Sequence, residues 1–121
     1  MTKTQNSKQY DLEDRTLEFA KRVRGLVKRL PKTLANVEDG RQLIKASGSV
    51  GANYNEANEA ISKKDFILRI KICRKEAKES RYWLKLIDTE EEAELENERQ
   101  DLEREASELT SIFGSIVTKS K

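Results

Sequence analysis

At 121 residues, the chain has room for one domain with a modest core. Charged residues make up 38% of it and aromatic residues 6%, with one proline and five glycines, which favours long helices and argues against a turn-rich β-sandwich. The chain has no histidine, which removes the usual general base, the Ser-His and Cys-His nucleophile pairs and most zinc sites. We therefore predict a protein that is not an enzyme and uses no cofactor or metal.

The cysteine content and the hydropathy bear on the compartment. Cys73 is the single cysteine, so no intrachain disulfide can form and a reducing cytoplasm is expected. No apolar run approaches the ~20 residues that span a bilayer, and the polar start is unlike a signal peptide. We expect a cytoplasmic protein with no membrane partner.

Apolar residues at three- and four-residue spacing predict four helices, over about residues 11–30, 39–61, 63–88 and 90–118, after a polar tail at 1–10. Asp11 is placed to cap the first helix, and Pro31 ends it. Ser62-x-x-Asp65 and Thr89-x-x-Glu92 have the pattern of capping boxes that open the third and fourth helices. The fold class predicted is all-α, a single four-helix domain over residues 11–121.

The second helix contains a block of small residues that includes Gly48 and Gly51. Together these glycines cost about 2 kcal/mol relative to alanine, and close approach of another backbone is the usual compensation. Gly48 and Ala52 share the face opposite the predicted core, so we place a second subunit there. Simple tolerance of glycine is the alternative.

The third helix carries two apolar stripes. One faces the predicted core and includes Cys73, which we expect to be inert packing. The other lies on nearly the opposite side and would leave the only tryptophan in water in a monomer, so we predict that it is a subunit interface. Its members are Leu68, Ile72, Trp83 and Leu86.

Between these stripes lies an arc of basic side chains. Residues 63–88 contain 9 basic and 4 acidic residues, whereas residues 89–121 contain 4 basic and 10 acidic ones. The arc is either a nucleic-acid-binding surface, or a solvated face bridged to the acids of the fourth helix. Its members are Lys64, Lys71, Arg74, Lys75, Lys78, Arg81 and Lys85.

Two polar residues of the second helix, Asn53 and Glu56, are predicted to lie at the edge of the bundle core. We expect Glu56 to make a charged hydrogen bond to a basic side chain of the third helix or a neighbour, with Asn53 as its polar companion. Glu56 and Glu59 form a Glu-x-x-Glu pair, as do Glu76 and Glu79. They do not all face inward, so no metal site is expected.

These residues resemble the bacterial family of proteins encoded in intervening sequences of 23S ribosomal RNA genes, sometimes labelled S23-like. The match covers about residues 10 to 118, and the small-residue block before Asn53 is its most specific part. The matching segments are Asp11-Leu12 with Phe19-Ala20, Leu30-Pro31-Lys32, Ser47-Gly48-Ser49-Val50-Gly51-Ala52-Asn53-Tyr54-x-Glu56-Ala57, Ser62-x-x-Asp65-Phe66, Lys75-Glu76-Ala77-x-Glu79 and Tyr82-Trp83-Leu84.

The resemblance implies an antiparallel up-down bundle that assembles as a homopentameric ring. It also implies a relation to the accessory protein of diversity-generating retroelements, which binds nucleic acid and a reverse transcriptase. Asn53 and Glu56 are family-motif positions without an assigned role. We therefore expect a non-enzymatic oligomer that binds nucleic acid, RNA before DNA, through its basic arc. The alternative is a scaffold or adaptor whose partner is a protein, such as a reverse transcriptase.

Overall fold

The structure is a computed structural model that describes residues 11–121 and places four α-helices among them. They are α1 (Leu12–Arg29), α2 (Leu34–Asn58), α3 (Lys63–Leu86) and α4 (Ala93–Ser120). The predicted tail at residues 1–10 lies outside the described residues. Within residues 11–121, no helix combines the length and the apolar character that crossing a membrane requires.

The helices pack in chain order around one core. The described contacts join α1 to α2, α2 to α3, α3 to α4 and α4 back to α1, and the two interfaces of α3 are the most extensive. Because short connections join consecutive helices, neighbours run antiparallel. All four helices contribute buried side chains, among them the rings of Phe19 and Phe113. The predicted all-α fold and the up-down bundle are confirmed.

Two of the predicted helix caps are confirmed. The carboxylate of Asp11 accepts a hydrogen bond from the backbone N–H of Asp14 over 2.9 Å. The hydroxyl of Ser62 accepts one from the N–H of Asp65 over 3.0 Å. Each bond satisfies a backbone donor that the first helical turn leaves unpaired.

The second helix begins at Leu34, earlier than the predicted start near Asp39. The side chain of Thr33 accepts a hydrogen bond from the N–H of Asn36 over 3.1 Å and caps the helix. The predicted start was too late because Leu34 and Val37, in the first turn, are exposed, by 80% and 44%. The first turn therefore lacks the inward-facing apolar spacing by which a helix is detected.

The start of the fourth helix also differs from the prediction. Glu92, and not Thr89, caps α4, accepting hydrogen bonds from two backbone N–H groups of the first turn. Glu90 and Glu91 precede it with positive φ angles of 54° and 63°, in the left-handed region. Thr89 is buried and donates to the carboxylate of Glu96 over 2.9 Å. The chain therefore turns through residues that the sequence pattern had placed inside the helix.

Asn36 joins the two connections at one end of the bundle. Its side-chain amide donates to the carbonyl oxygens of Pro31 over 3.0 Å and Asp88 over 2.8 Å, and its oxygen accepts from the N–H of Asp88 over 2.9 Å. The residue is only 3% exposed. These bonds pair part-buried backbone groups of the two connections and tie them together.

The close approach predicted for the small-residue block occurs at Gly51, within the chain. A Cβ atom at Gly51 would lie 2.9 Å from the hydroxyl oxygen of Thr16 in α1 and 3.3 Å from its Cβ. Thr16 is buried, and its hydroxyl donates to the carbonyl oxygen of Leu12 over 2.7 Å. A glycine at this position lets α1 pack closely over the α2 backbone.

Candidate nucleic-acid interface

The seven basic residues predicted on the third helix all have exposed side chains. We call this set the basic face; it consists of Lys64, Lys71, Arg74, Lys75, Lys78, Arg81 and Lys85. The edge of the basic face borders α4, since a Cβ atom on Gly114 of that helix would lie 3.6 Å from Nε of Arg74. One surface of the bundle therefore presents cations along the whole length of α3.

Acidic residues of the fourth helix pair with the first helix. Arg15 of α1 contacts the carboxylates of Glu105 at 2.7 Å and Glu108 at 2.8 Å, and Arg22 contacts Glu98 at 3.0 Å. The hydrogen bond from Glu105 raises the pKa of the Arg15 guanidinium, although burial opposes the shift. These contacts hold α1 against α4.

Other acids of the fourth helix pair within it. Arg99 contacts Glu96 at 2.6 Å and Glu103 at 3.0 Å. Within residues 11–121, the only ion pair of the basic face joins Lys75 to its neighbour Glu76, at 3.9 Å. The bridges between the basic arc and the fourth helix, considered as an alternative from the sequence, are therefore not formed in this part of the chain.

A groove of about 400 Å³ separates the basic face from the fourth helix. On the α3 side it is lined by Lys78, Arg81, Tyr82 and Lys85, and on the α4 side by Ser107, Thr110 and Ser111. The cations were predicted from the sequence, whereas the tyrosine and the hydroxyls were not. Their signal is a run of small polar residues in α4, which gains meaning only once α4 is placed beside α3.

The second apolar stripe of the third helix is only partly exposed. Leu68 and Leu86 are 55% and 48% exposed, whereas Ile72 and Trp83 are half-buried. Trp83 packs against the core, and its indole N–H donates to the carboxylate of Glu79 over 3.1 Å. The expectation that a monomer leaves this tryptophan in water was wrong, because the core and Glu79 cover part of the ring. An interface role for the four residues stays a prediction.

The two small residues assigned to a subunit interface have different surroundings. Ala52 is exposed, and Gly48 is half-exposed. A Cβ atom at Gly48 would lie 3.5 Å from the guanidinium of Arg24, a side chain of α1. The first helix therefore already contacts the position that was assigned to a second subunit, and the interface role of both residues stays a prediction.

Asn53, rather than Glu56, links the second helix to the third. The side-chain oxygen of Asn53 accepts a hydrogen bond from the guanidinium of Arg69 over 3.1 Å. Its amide group donates to the carbonyl oxygen of Ser49 over 2.9 Å and to the Ser49 hydroxyl over 3.0 Å. Glu56 is exposed. The predicted polar link exists, but the family-motif asparagine makes it.

Burial shifts the pKa of two titratable groups of the third helix, Cys73 and Glu76. Burial raises the pKa of the Cys73 thiol to about 12, so the prediction of an inert packing residue agrees with its environment. Burial, and then repulsion from Glu79, raise the pKa of Glu76. Among residues 11–121, no three His, Cys, Asp or Glu side chains gather closely enough to hold a metal ion.

Residues 8–115 match the model of the 23S rRNA-intervening sequence proteins. The chain belongs to this family. A crystal structure from Bacteroides thetaiotaomicron, of a protein with unknown function from the S23 ribosomal protein family, is similar to it at 32% sequence identity. The similarity has a TM-score of 0.72 and covers 88% of this chain and 98% of that one. No curated protein matches the chain.

Membership confirms the family resemblance on which the sequence analysis relied. The relation to the accessory protein of diversity-generating retroelements stays a prediction, as do the pentameric ring and the binding of nucleic acid.

Proposed function

We propose that this protein is a non-enzymatic, self-associating bundle that binds nucleic acid through its basic face, RNA in preference to DNA. The observation that carries the proposal is that the cations of α3 and the acids of α4 do not pair with each other. Seven exposed cations share one helix face, while the neighbouring acids of α4 are engaged by Arg15, Arg22 and Arg99. Within residues 11–121, Lys75 is the one cation of this face with a carboxylate partner, at 3.9 Å, and a surface of largely unpaired cations attracts polyanions.

Such binding follows the physics of phosphate contacts. Each phosphate neutralised by a lysine or arginine releases counterions, so the binding constant falls as the salt concentration rises. On a plot of the logarithm of the binding constant against the logarithm of the salt concentration, each contact contributes a slope of about −0.7 for a single strand and about −0.9 for a duplex. Contacts to phosphates carry no base information, which makes the binding weakly sequence-specific.

Self-association would repeat this surface. Leu68 and Leu86 expose about half of their side chains on α3, and burial against a second copy would remove them from water. A closed ring, of five subunits as the family resemblance implies, would present one basic face per subunit. A strand that contacts several faces gains affinity through effective concentration.

The test is a charge reversal on the basic face, Lys71→Glu/Lys75→Glu/Lys78→Glu. A matched control places the same charge change elsewhere, Lys21→Glu/Lys28→Glu/Arg41→Glu, at exposed positions of α1 and α2. Binding of a labelled RNA is measured by fluorescence anisotropy over a salt series, with light scattering to establish the assembly state. We expect only the first variant to lose most of its affinity for RNA, and its residual binding to have a salt slope smaller by about two to three units for each subunit that contacts the RNA.

A protein scaffold is the second candidate function, and the exposed apolar residues Leu68 and Leu86 favour it. Its partner would be another protein, such as a reverse transcriptase. Purification at low salt separates the two candidates. A wild-type assembly that carries no nucleic acid by its ultraviolet absorbance ratio, and binds no added RNA, would refute the proposal and favour the scaffold.

A further inference from the structure

The groove between α3 and α4 joins three kinds of side chain that a polynucleotide strand requires. We propose that it is a site for single-stranded nucleic acid, in which the strand's phosphates contact cations and hydroxyls while an unpaired base stacks on Tyr82. The inference rests on the proposed function, to which it adds the strand type and the location on the basic face.

The cations of the groove are spaced along one edge. Lys78, Arg81 and Lys85 lie on α3 and line the same wall. At 1.5 Å per residue, they extend over about 10 Å of helix, which is the length of about three stacked nucleotides. The row therefore suits successive phosphates of one strand rather than a single anion.

Hydroxyl groups line the opposite wall, on the fourth helix. The hydroxyl of Thr110 donates to the carbonyl oxygen of Ala106 over 2.8 Å, so its proton is already used. We assign Ser107 and Ser111 as the donors to phosphate oxygens. Hydroxyls can approach a phosphate that lysines neutralise without adding charge of their own.

Comparison with a second groove, between α1 and α4, shows why the α3–α4 groove suits an anion. The groove between α1 and α4 is lined by Arg22 and Arg29 but also by Glu94, Glu98 and Asp101. Those carboxylates would repel a phosphate. The lining of the α3–α4 groove contains no carboxylate, so its three cations act together.

Tyr82 supplies the aromatic surface. Its side chain is 58% exposed, and its ring meets that of Trp83 edge-on, with centroids 5.0 Å apart and an interplanar angle of 78°. The contact holds the tyrosine at the groove while much of its surface stays open to solvent. Bases in a duplex are paired and stacked on one another, so only a single strand can place a base on this ring.

The experiment compares a labelled oligouridine strand with a matched RNA duplex by fluorescence anisotropy. We expect the wild-type protein to prefer the strand, and Tyr82→Ala to weaken strand binding about tenfold while duplex binding stays unchanged. Tyr82→Phe keeps the aromatic face and should retain strand binding. Because Tyr82 adjoins Trp83, light scattering establishes that each variant keeps the wild-type assembly.

A second pair of variants tests the groove without touching the aromatic residues. Ser111→Glu adds a negative charge to the α4 wall, whereas Ser115→Glu adds it one turn further along, at an exposed position outside the lining. We expect Ser111→Glu to weaken strand binding several-fold more than Ser115→Glu. The carboxylate at position 111 would lie closer to the phosphates, and salt screens electrostatic repulsion less over a shorter distance.

Equal affinity for strand and duplex, together with an unchanged Tyr82→Ala variant, would overturn the inference. Competition by uridine monophosphate as effective as that by the strand would also overturn it. If the triple charge reversal still abolishes binding in that case, the proposed function stands and only the groove is rejected. If the wild-type protein binds neither RNA, the proposed function itself fails.

Discussion

The guanidinium of Arg69 donates a hydrogen bond to the side-chain oxygen of Asn53 over 3.1 Å, which joins α3 to α2 on the side of α3 away from the groove. Both residues are half-buried, so water replaces this bond poorly. The link adds a polar contact to the core packing that sets the rotation of α3 about its axis and hence the direction in which the basic face points. It gives the family-motif asparagine a structural role.

Replacement of Asn53 by alanine should therefore destabilise the bundle. Asn53→Ala leaves the Arg69 guanidinium partly buried without its acceptor, which lowers the free energy of unfolding by about 1–3 kcal/mol. Asn55→Ala is the matched control, because Asn55 lies on the same helix and is exposed. It should change stability by less than about 0.5 kcal/mol. Urea denaturation measures both, and equal effects would contradict the role given to Asn53.

Two glycines should respond oppositely to alanine. Gly51→Ala places a methyl group 2.9 Å from the hydroxyl of buried Thr16, and the overpacking costs about 1–3 kcal/mol. A Cβ atom at Gly25 would meet no atom of the other helices within 4 Å, so Gly25→Ala gains up to about 1 kcal/mol of helix propensity. Thermal unfolding should show a lower Tm for the first variant and a higher Tm for the second. A higher Tm for both would show that α1 can move away from α2.

Acid should weaken the bundle through Glu96. Hydrogen bonds from Arg99, and then from Gln100, lower the pKa of Glu96 from 4.5 to about 2. A carboxylate whose pKa is depressed on folding contributes stability above pH 4.5, and this contribution is lost as the pH falls toward 2. Glu96→Gln should therefore flatten the decline of stability across that window, and Glu18→Gln, at an exposed position of α1, should not. Urea denaturation at a series of pH values tests this, and identical pH profiles for the two variants would refute it.

Cys73 should be unreactive in the folded protein. Its side chain is buried, and its pKa of about 12 leaves almost no thiolate at neutral or mildly alkaline pH. Incubation with iodoacetamide followed by mass spectrometry should show unmodified protein under native conditions and one adduct in urea. Rapid native modification would mean that the α3 face of the core opens.

Substitution of an exposed leucine should affect assembly alone, whereas substitution of the tryptophan should also affect stability. Leu68→Glu alters a residue that is 55% exposed, so it should dissociate the proposed oligomer and leave helicity intact. Trp83→Glu should also lower the Tm, because this ring packs on the core and donates to Glu79. Light scattering gives the mass and circular dichroism the helicity. A Leu68→Glu variant of wild-type mass would reject Leu68 as an interface residue.

Local sequence signals predicted the starts of helices correctly where a side chain hydrogen-bonds to the backbone of the adjacent helical turn. Asp11 and Ser62 were identified as caps because a cap needs only the first turn of its helix. The first turn of α2 was missed, because its exposed Leu34 and Val37 break the apolar spacing. The turn before α4 was missed as well, because it depends on left-handed Glu90 and Glu91, and on the burial of Thr89 beside Glu96.

The sequence by itself determined the number of helices, the family and the seven cations of the basic face, because periodicity and charge are properties of one helix at a time. Only the tertiary structure decided which groups meet across helices. It paired the α4 acids with Arg15 and Arg22 rather than with the basic face, and it placed Ser111 opposite Arg81 across one groove. The physical reason is that contacts between helices depend on the rotation and register of each, which core packing sets through atoms distant in the chain.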